Sequence, residues 1–183
     1  NGSTYKFGSG SMHFDGTGDY LSIAEHADFD LGSVDFTIDG WFYLTGAIDA
    51  KYGFGYNHLY PPIGIFFNTT GDEQYVRAYG STDGLNLDIS IGSTHIHSSL
   101  NSWIHLAIVK NNGLITFYID GVGVGSATKT PGSNSGMVTL IGKGGGAAQE
   151  YTGYIDELRI SKGIARWTSD FTPPTAAYTD MDS

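Results

Sequence analysis

The sequence contains no cysteine, so no disulfide bond can hold this chain together. The absence also leaves the redox compartment of the protein open. Stability must come from a buried core, and a chain of 183 residues is long enough to form one. We expect a single domain over residues 1–183, with linker-like ends at about 1–10 and 172–183.

Positive charge is scarce. Nine Lys and Arg stand against 19 Asp and Glu, which gives a formal net charge of −10. Nucleic acids and anionic membranes need a cationic surface, so we expect neither as a partner. The excess of acidic residues is compatible with neutral sugars or divalent cations as ligands. The alternative is that the charge only keeps the protein soluble.

Long apolar runs are missing as well. No stretch approaches the ~18 apolar residues that a membrane-spanning helix needs, so we expect no membrane insertion. No signal peptide is visible, and the chain begins at Asn1. We therefore expect a processed or excised piece of a longer protein, with other domains of that parent chain as possible partners.

Glutamate is rare, with four residues at positions 25, 73, 150 and 157. Glycoside hydrolysis generally requires two carboxylates about 5–10 Å apart on the substrate groove. Asp156 and Glu157 are adjacent, and neighbours in a strand point to opposite faces. The sequence also lacks a nucleophile elbow and a glycine-rich phosphate loop before a helix. We therefore expect no enzymatic activity.

Short apolar runs alternate with Gly, Asn, Asp and Ser, and their β-branched and aromatic residues favour strands. No segment shows helical periodicity over ten residues. This pattern predicts an all-β, two-sheet antiparallel sandwich. The predicted strands are Ser11–Phe14, Tyr20–Ile23, Phe36–Leu44, Ile63–Asn68, Tyr75–Tyr79, Leu85–Ile91, Trp103–Lys110, Leu114–Asp120, Val138–Gly142 and Tyr154–Ser161.

Two turn signals predict how the strands in the middle of the chain are connected. Trp103–Lys110 is apolar on both faces, which predicts a central strand. Asn111–Gly113 then signals a hairpin into Leu114–Asp120. Asp120 and Gly121 supply a second turn, so three consecutive antiparallel strands are predicted.

Four sequence blocks, in order along the chain, resemble the laminin-G-like branch of the concanavalin A-like lectin/glucanase superfamily. The resemblance implies a jelly roll of two curved sheets. It also implies saccharide binding on one sheet or its rim loops, often with a structural calcium ion. The blocks are Phe14–Leu21 (FDGTGDYL), Phe36–Tyr43 (FTIDGWFY), Trp103–Val109 followed by Phe117–Gly121, and Gly153–Ile160 (GYIDELRI).

The run from Ser161 to Trp167, followed by Phe171–Pro174, resembles modules found along bacteriophage tail and adhesin proteins. This resemblance is less specific than the four blocks. It implies a place in a larger surface or tail protein.

Asp15, Asp19 and Asp156 are the candidate calcium ligands. Calcium takes 6–8 oxygens from carboxylates, carbonyls and water. A glycine-spaced turn between Asp15 and Asp19 can fold such oxygens round one point. By strand alternation Asp156 shares a face with Tyr154, Leu158 and Ile160, which would turn its carboxylate inward. The alternative is that the first two are ordinary turn residues and Asp156 accepts main-chain N–H bonds.

An unusual aromatic stretch runs from Tyr52 to Pro62. Saccharides stack their C–H faces on aromatic rings and bind planar polar groups through their hydroxyls. The stretch offers both, so we predict carbohydrate binding by Tyr52, Phe54, Tyr56, His58 and Tyr60. The alternative is that these rings cap one end of the sandwich core.

A second predicted patch combines Tyr75, Arg77 and Tyr79 on one strand face with Asn86 and Asp88 on the next strand. If both strands lie in one sheet, these five side chains line a groove. His95 and His97 share a face and are possible contributors, although a His-x-His pair alone is weak evidence for a metal site. The alternative is an ordinary solvated strand face.

These observations predict a non-catalytic, lectin-like module that binds glycan on a cell surface, located outside the cell or on a virion. A structural or protein-interaction module of a tail fibre or adhesin is the main alternative. A binding module of a glycanase is a further alternative. Exposed rings in the aromatic stretch would favour sugar, whereas buried rings and a broad apolar patch elsewhere would favour protein contact.

Overall fold

The structure, a computed structural model, describes residues 2–46, 49–70, 73–95 and 100–179, without the side chains of residues 70, 73 and 93–95. These residues form twelve strands and one 3-10 turn at Ala27–Phe29. The strands are β1 (Met12–Asp15), β2 (Leu21–Ile23), β3 (Phe36–Leu44), β4 (Lys51–Tyr56), β5 (Gly64–Thr70), β6 (Glu73–Gly80), β7 (Ile89–His95), β8 (Trp103–Asn111), β9 (Leu114–Ile119), β10 (Val122–Thr128), β11 (Thr139–Ile141) and β12 (Thr152–Lys162).

The strands form two antiparallel sheets of six, as predicted for the fold class. Sheet A has the order β1-β12-β3-β8-β9-β10, and sheet B has the order β2-β11-β4-β5-β6-β7. Three of the five neighbouring pairs in sheet A and two of the five in sheet B join strands that are distant in sequence, which is typical of a jelly roll. In the described part of the chain, no helix has the length and apolar character needed to cross a bilayer.

The predicted three-strand unit is confirmed. β8 lies between β3 and β9, with both of its faces largely buried. Asn112 (φ 48°) and Gly113 (φ 86°) form its turn into β9, and positive φ at both central residues defines the hairpin turn that asparagine and glycine favour. β10 is the third strand, after Asp120 and Gly121.

One strand prediction is wrong in part, and one strand was not predicted. Residues 85–88 are a loop although they were predicted to begin a strand, and Leu85 is 70% exposed. Asp83 explains the difference, because its carboxylate accepts the main-chain N–H groups of Leu85 and Asn86 and turns the chain. The aromatic stretch, which was not among the predicted strands, begins as strand β4.

One main core fills the space between the sheets. Phe42 of sheet A contacts Phe67 of sheet B, with ring centroids 6.0 Å apart, and both rings contact Tyr151. All three side chains are fully buried. Truncating a ring of this kind to alanine typically costs about 3–5 kcal/mol.

The N-terminal segment packs against the outer face of sheet A. The main-chain N–H groups of Lys6 and Phe7 donate to the Asp156 carboxylate at 2.8 and 3.1 Å. The Phe7 ring meets Trp41 edge-on at 5.9 Å, and the Lys6 ammonium lies 3.7 Å from the Trp41 ring centroid. The predicted linker-like N-terminus is therefore wrong for residues 6 and 7.

The C-terminal segment covers more of the same face. The rings of Trp167 and Phe171 stack at 3.9 Å and pack on buried Ala107, Val109 and Tyr118. Phe171 also donates its main-chain N–H to the Gly121 carbonyl. The linker prediction is wrong here too, at least as far as Tyr178, because the main-chain N–H of Tyr178 donates to the Glu157 carboxylate.

A buried charge network anchors this segment. The Asp39 side chain is fully buried, and it accepts hydrogen bonds from two guanidinium nitrogens of Arg159, each at 3.1 Å. The Tyr178 hydroxyl also donates to Asp39, and His105 Nε2 lies 3.5 Å away. Burial alone would raise the pKa of Asp39, but its bonds to His105, Arg159 and Tyr178 outweigh burial and hold the pKa below its usual value.

A bulge in β12 explains why strand alternation predicted the wrong facing for Asp156. Asp156 pairs with Trp41 and Arg159 pairs with Asp39, so β12 carries one extra residue between these pairs. Glu157 lies in the bulge with φ 51°. Asp156 therefore faces outward with Tyr154, while Leu158 and Ile160 pack on the core. The predicted inward carboxylate is wrong, and Asp156 is buried by the N-terminal segment instead.

Replacing Asp39 should strongly destabilise the protein. Asp39→Asn leaves Arg159 without its buried counter-charge, and breaking such a pair typically costs about 3–5 kcal/mol. Because the folded pKa is lowered, the carboxylate contributes fully above its unfolded pKa of about 4, and this contribution is lost as the pH falls through the folded pKa. Urea unfolding should show that wild type and variant differ by a constant free energy of unfolding near neutral pH. This difference should become smaller below about pH 4.

Asp28→Asn provides the control, since the Asp28 side chain is 80% exposed. Its cost should stay within about 0.5 kcal/mol. Equal stability of Asp39→Asn and wild type at neutral pH would contradict the anchoring role of this network.

Candidate functional site

The outer face of sheet B holds the predicted Tyr75, Arg77 and Tyr79 together. These three residues alternate along β6 with Val76 and Ala78, both of which are fully buried in the core. The three side chains therefore point away from the core and remain half-buried at the surface. The strand-face prediction made for them is confirmed.

A cross-strand row extends this face. Arg77 of β6 lies opposite Phe66 of β5, and Phe66 lies opposite Tyr52 of β4. The Phe66 ring stacks on Tyr79 at 4.9 Å with an interplanar angle of 25°, and it lies 4.9 Å from the Tyr52 ring. We call Tyr52, Phe66, Arg77 and Tyr79 the ring cluster.

The Arg77 guanidinium lies over two rings of this cluster. Its Cζ lies 5.0 Å from the Tyr79 ring centroid and 5.4 Å from that of Phe66. One terminal nitrogen donates to the Ser90 hydroxyl on β7 at 3.3 Å. Cation–π contacts and this bond fix the orientation of the guanidinium before any ligand arrives.

Tyr52 forms the buried end of the cluster. A Cβ atom at Gly144 would lie 2.4 Å from the Tyr52 ring, so only glycine lets the loop after β11 close over it. The ring is 3% exposed, and burial raises the pKa of its hydroxyl. Tyr52 therefore supports the surface from below and offers little area for a ligand to stack on.

A hollow of about 330 Å³ lies beside the ring cluster and shares Gly144 with it. Three separate parts of the chain form the hollow. It is lined by Tyr20, Ser22, Asn57, Val138, Leu140, Lys143, Gly144 and Gly145.

Aromatic and polar groups meet in this hollow. Tyr20 is 44% exposed, and the Lys143 ammonium lies 4.7 Å from its ring centroid. Lys143 also pairs with Glu150 at 2.9 Å, and this bond lowers the pKa of the Glu150 carboxyl. The Asn57 side-chain oxygen accepts the Val138 N–H at 2.6 Å, which fixes the amide at the rim.

The aromatic stretch is mostly core. Phe54 and Tyr56 are 0% and 1% exposed and belong to the main core, so they cannot contact a ligand. The prediction of carbohydrate binding by these two rings is wrong, and the core-packing alternative is confirmed for them. His58 Nδ1 bonds with the main chain of Tyr60, and both side chains are half-buried in the turn after β4.

Asn86 and Asp88 do not lie on this face, because both precede β7 and belong to a loop. Asp88 accepts bonds from the Thr82 main chain and hydroxyl and from Lys129. The groove predicted from these two residues and β6 is therefore wrong. Of the two histidines, His97 and the side chain of His95 lie outside the described residues.

The three predicted calcium ligands do not meet. Asp15 pairs with Thr152, four residues before Asp156 on β12, which corresponds to roughly 13 Å along a strand. Asp15 accepts the Thr17 N–H, and Asp19 accepts the Asp15 N–H. Asp156 accepts the N–H groups of Lys6, Phe7 and Glu157. Within the described ranges, no group of three or more His, Asp and Glu is placed to hold a metal.

Sequence reasoning missed Phe66, Tyr20 and Lys143 as site residues. Phe66 stands in a run of apolar residues whose facing cannot be assigned without the register of β5. Tyr20 and Lys143 are 123 positions apart by number and come together only because β2 and β11 pair. For Lys143, the sequence signal was its position before three glycines and directly after the predicted short strand Val138–Gly142.

Residues 15–166 of the chain match the sequence model of a laminin-G-type family. That family is described as part of the concanavalin A-like lectin/glucanases superfamily. No curated protein sequence matches the chain.

Solved structures share the fold at low identity. Domain 4 of an extracellular arabinanase from Geobacillus stearothermophilus, solved with arabinotriose, is 19% identical with a TM-score of 0.56 and covers 88% of this chain and 85% of its own. A heptameric pentraxin from Limulus polyphemus is 16% identical with a TM-score of 0.54 and covers 87% of this chain and 76% of its own.

Removing calcium should leave the stability unchanged. Asp15 and Asp19 are exposed, and the buried carboxylate of Asp156 already accepts three main-chain hydrogen bonds, so no cation is needed to neutralise it. We expect the same Tm after exhaustive dialysis against EDTA and after adding calcium in millimolar excess, measured by scanning calorimetry. A Tm that falls on chelation and returns with calcium would contradict this reading of the three residues.

Proposed function

Because the chain belongs to the laminin-G-type family of the concanavalin A-like lectin/glucanase superfamily, we propose that it is a non-catalytic, lectin-like module that binds glycan through the outer face of sheet B. One observation carries the choice of face. The terminal segments cover much of the outer face of sheet A, whereas Arg77 and Tyr79 of the ring cluster are partly exposed on sheet B beside the hollow.

The chemistry of this face suits a saccharide. Tyr20 and Tyr79 present partly exposed rings on which the C–H face of a sugar can stack. Ser22, Asn57 and Arg77 supply hydroxyl, amide and guanidinium groups that bond with sugar hydroxyls. Asn57 and Arg77 are already held by hydrogen bonds to the protein, so little conformational entropy of these side chains is lost on binding.

The known structures support this proposal through the fold alone. The arabinanase domain was solved with arabinotriose, so a fold of this kind accommodates a saccharide. The residues that would bind in this chain come from its own surface and not from that comparison.

The same surface supports binding without hydrolysis. The residues that line the hollow include no carboxylate, and the nearby Glu150 is paired with Lys143. Asp156 and Glu157 accept main-chain bonds from the two terminal segments. A glycosidase would require two available carboxylates facing one groove.

A shallow site of this size implies weak binding per copy, so function would depend on several copies acting together. Such an arrangement fits a module of a larger protein outside the cell or on a virion. The phage tail or adhesin context remains a prediction from the sequence. Calcium forms no part of the proposal, because its predicted ligands do not meet.

Protein contact is a second candidate function, and one surface favours it. His13, Tyr154, Tyr43 and Trp103 lie side by side across four neighbouring strands of sheet A. Their ring centroids are 4.7, 5.7 and 5.3 Å apart in that order. All four side chains are exposed or half-buried, and such aromatic patches are enriched at protein interfaces.

Removing an exposed ring from the proposed site should weaken glycan binding. A glycan array would first identify the ligand. Tyr20→Ala and Tyr79→Ala should then each lower affinity about tenfold in isothermal titration calorimetry, which corresponds to the loss of about 1.4 kcal/mol of stacking.

Tyr5→Ala is the matched control, because Tyr5 is 43% exposed, like Tyr20 at 44%, but lies in the N-terminal segment. Its affinity should equal that of wild type. Full affinity in both site variants, with unchanged Tm, would refute this face as the binding site. If no glycan on the array binds, protein contact becomes the favoured function.

A further inference from the structure

We propose that the glycan carries an acidic group, a carboxylate or a sulfate, and that the Arg77 guanidinium binds it. This inference rests on the proposed function and adds the chemical class of the ligand. It follows from the contacts that Arg77 makes and from one contact that it lacks.

Arg77 and Lys143 are the cations of the proposed site, and Lys143 is neutralised by Glu150. Elsewhere Lys129 and Arg159 also pair with carboxylates, whereas Lys51, Lys110 and Lys162 bond to main-chain carbonyls. Among the described residues, Arg77 has no carboxylate partner, although acidic residues outnumber basic ones by 19 to nine over the whole chain. A cation left unpaired on an acidic protein creates a local site for a negative charge.

The guanidinium is also incompletely satisfied. Its one hydrogen bond goes to the Ser90 hydroxyl, and its buried Nε has no acceptor among the described residues. Buried donors without partners are costly, and arginine presents its donors in a planar fork that matches carboxylate and sulfate oxygens. Because Nε itself is buried, an anionic group would approach the terminal nitrogens of the guanidinium and supply acceptors there.

The surroundings favour a saccharide as the carrier of that charge. Tyr79 and Phe66 hold the guanidinium by their ring faces, so its position is set relative to a partly exposed ring. A sugar ring stacked on Tyr79 would therefore place a substituent near Arg77. A free inorganic anion would use the charge but not the ring.

The test compares matched polymers with and without charge. Polygalacturonate is compared with its methyl ester, which removes the carboxylate charge, and dextran sulfate is compared with dextran. We expect the wild type to bind at least one charged polymer about tenfold more tightly than its neutral match. High salt should reduce that preference, because exposed charge interactions are screened.

Variants then assign the preference to Arg77. Arg77→Gln should abolish the difference between charged and neutral polymers, and Arg77→Lys should retain part of it. Lys162→Gln removes a charge from an exposed residue that bonds to the Ala27 carbonyl, and it should leave the preference intact. If Arg77→Gln lowers the Tm, the test instead uses the salt dependence of the preference for charged polymers, measured for the wild type and for Ser90→Ala.

The outcomes separate the two proposals. If the protein binds neutral glycans on the array as tightly as acidic ones, the acidic-ligand inference fails and the lectin function stands. If charged polymers bind equally to wild type and Arg77→Gln, the anion site lies elsewhere and the inference fails. If no saccharide binds at all, the proposed function itself fails.

Discussion

The docking of both chain ends against sheet A is the constraint on which the functional account depends. A two-sheet sandwich has two outer faces, and either is available for recognition until something covers it. Here Asp39 neutralises Arg159 and accepts the Tyr178 hydroxyl, while Asp156 and Glu157 bind the main chains of the two ends.

This arrangement leaves sheet B as the open face, and its register determines what the face presents. Glycines at positions 64 and 144 remove side chains beside Tyr52, so this ring can lie against the sheet and support Phe66. Phe66 in turn orients Tyr79 and Arg77. A row of contacts across neighbouring strands thus fixes two partly exposed groups, one aromatic and one cationic, in a single orientation. Preorganisation of this kind favours selective binding even where the contact area is small.

Local signals were enough to predict the fold class and much of the strand content. β3 was predicted with its exact bounds, Phe36–Leu44, because β-branched and aromatic residues fill it. The error at 85–88 arose because the alternation of apolar and polar residues there is accidental, and a single carboxylate, Asp83, turns the chain. β4 was missed because glycines at 53 and 55 interrupt its pattern. Of the candidate site, alternation identified Arg77 and Tyr79, whereas Tyr20 and Lys143 depend on the pairing of β2 with β11, which no local pattern encodes.

An NMR titration with the tightest-binding glycan tests the central claim most directly, because it reports every backbone amide at once. The account predicts chemical-shift changes concentrated at residues 20–22, 57, 77–79 and 143–145, on the outer face of sheet B. Changes confined to the aromatic row at His13, Tyr43, Trp103 and Tyr154, or along the C-terminal segment, would place recognition on sheet A and contradict it.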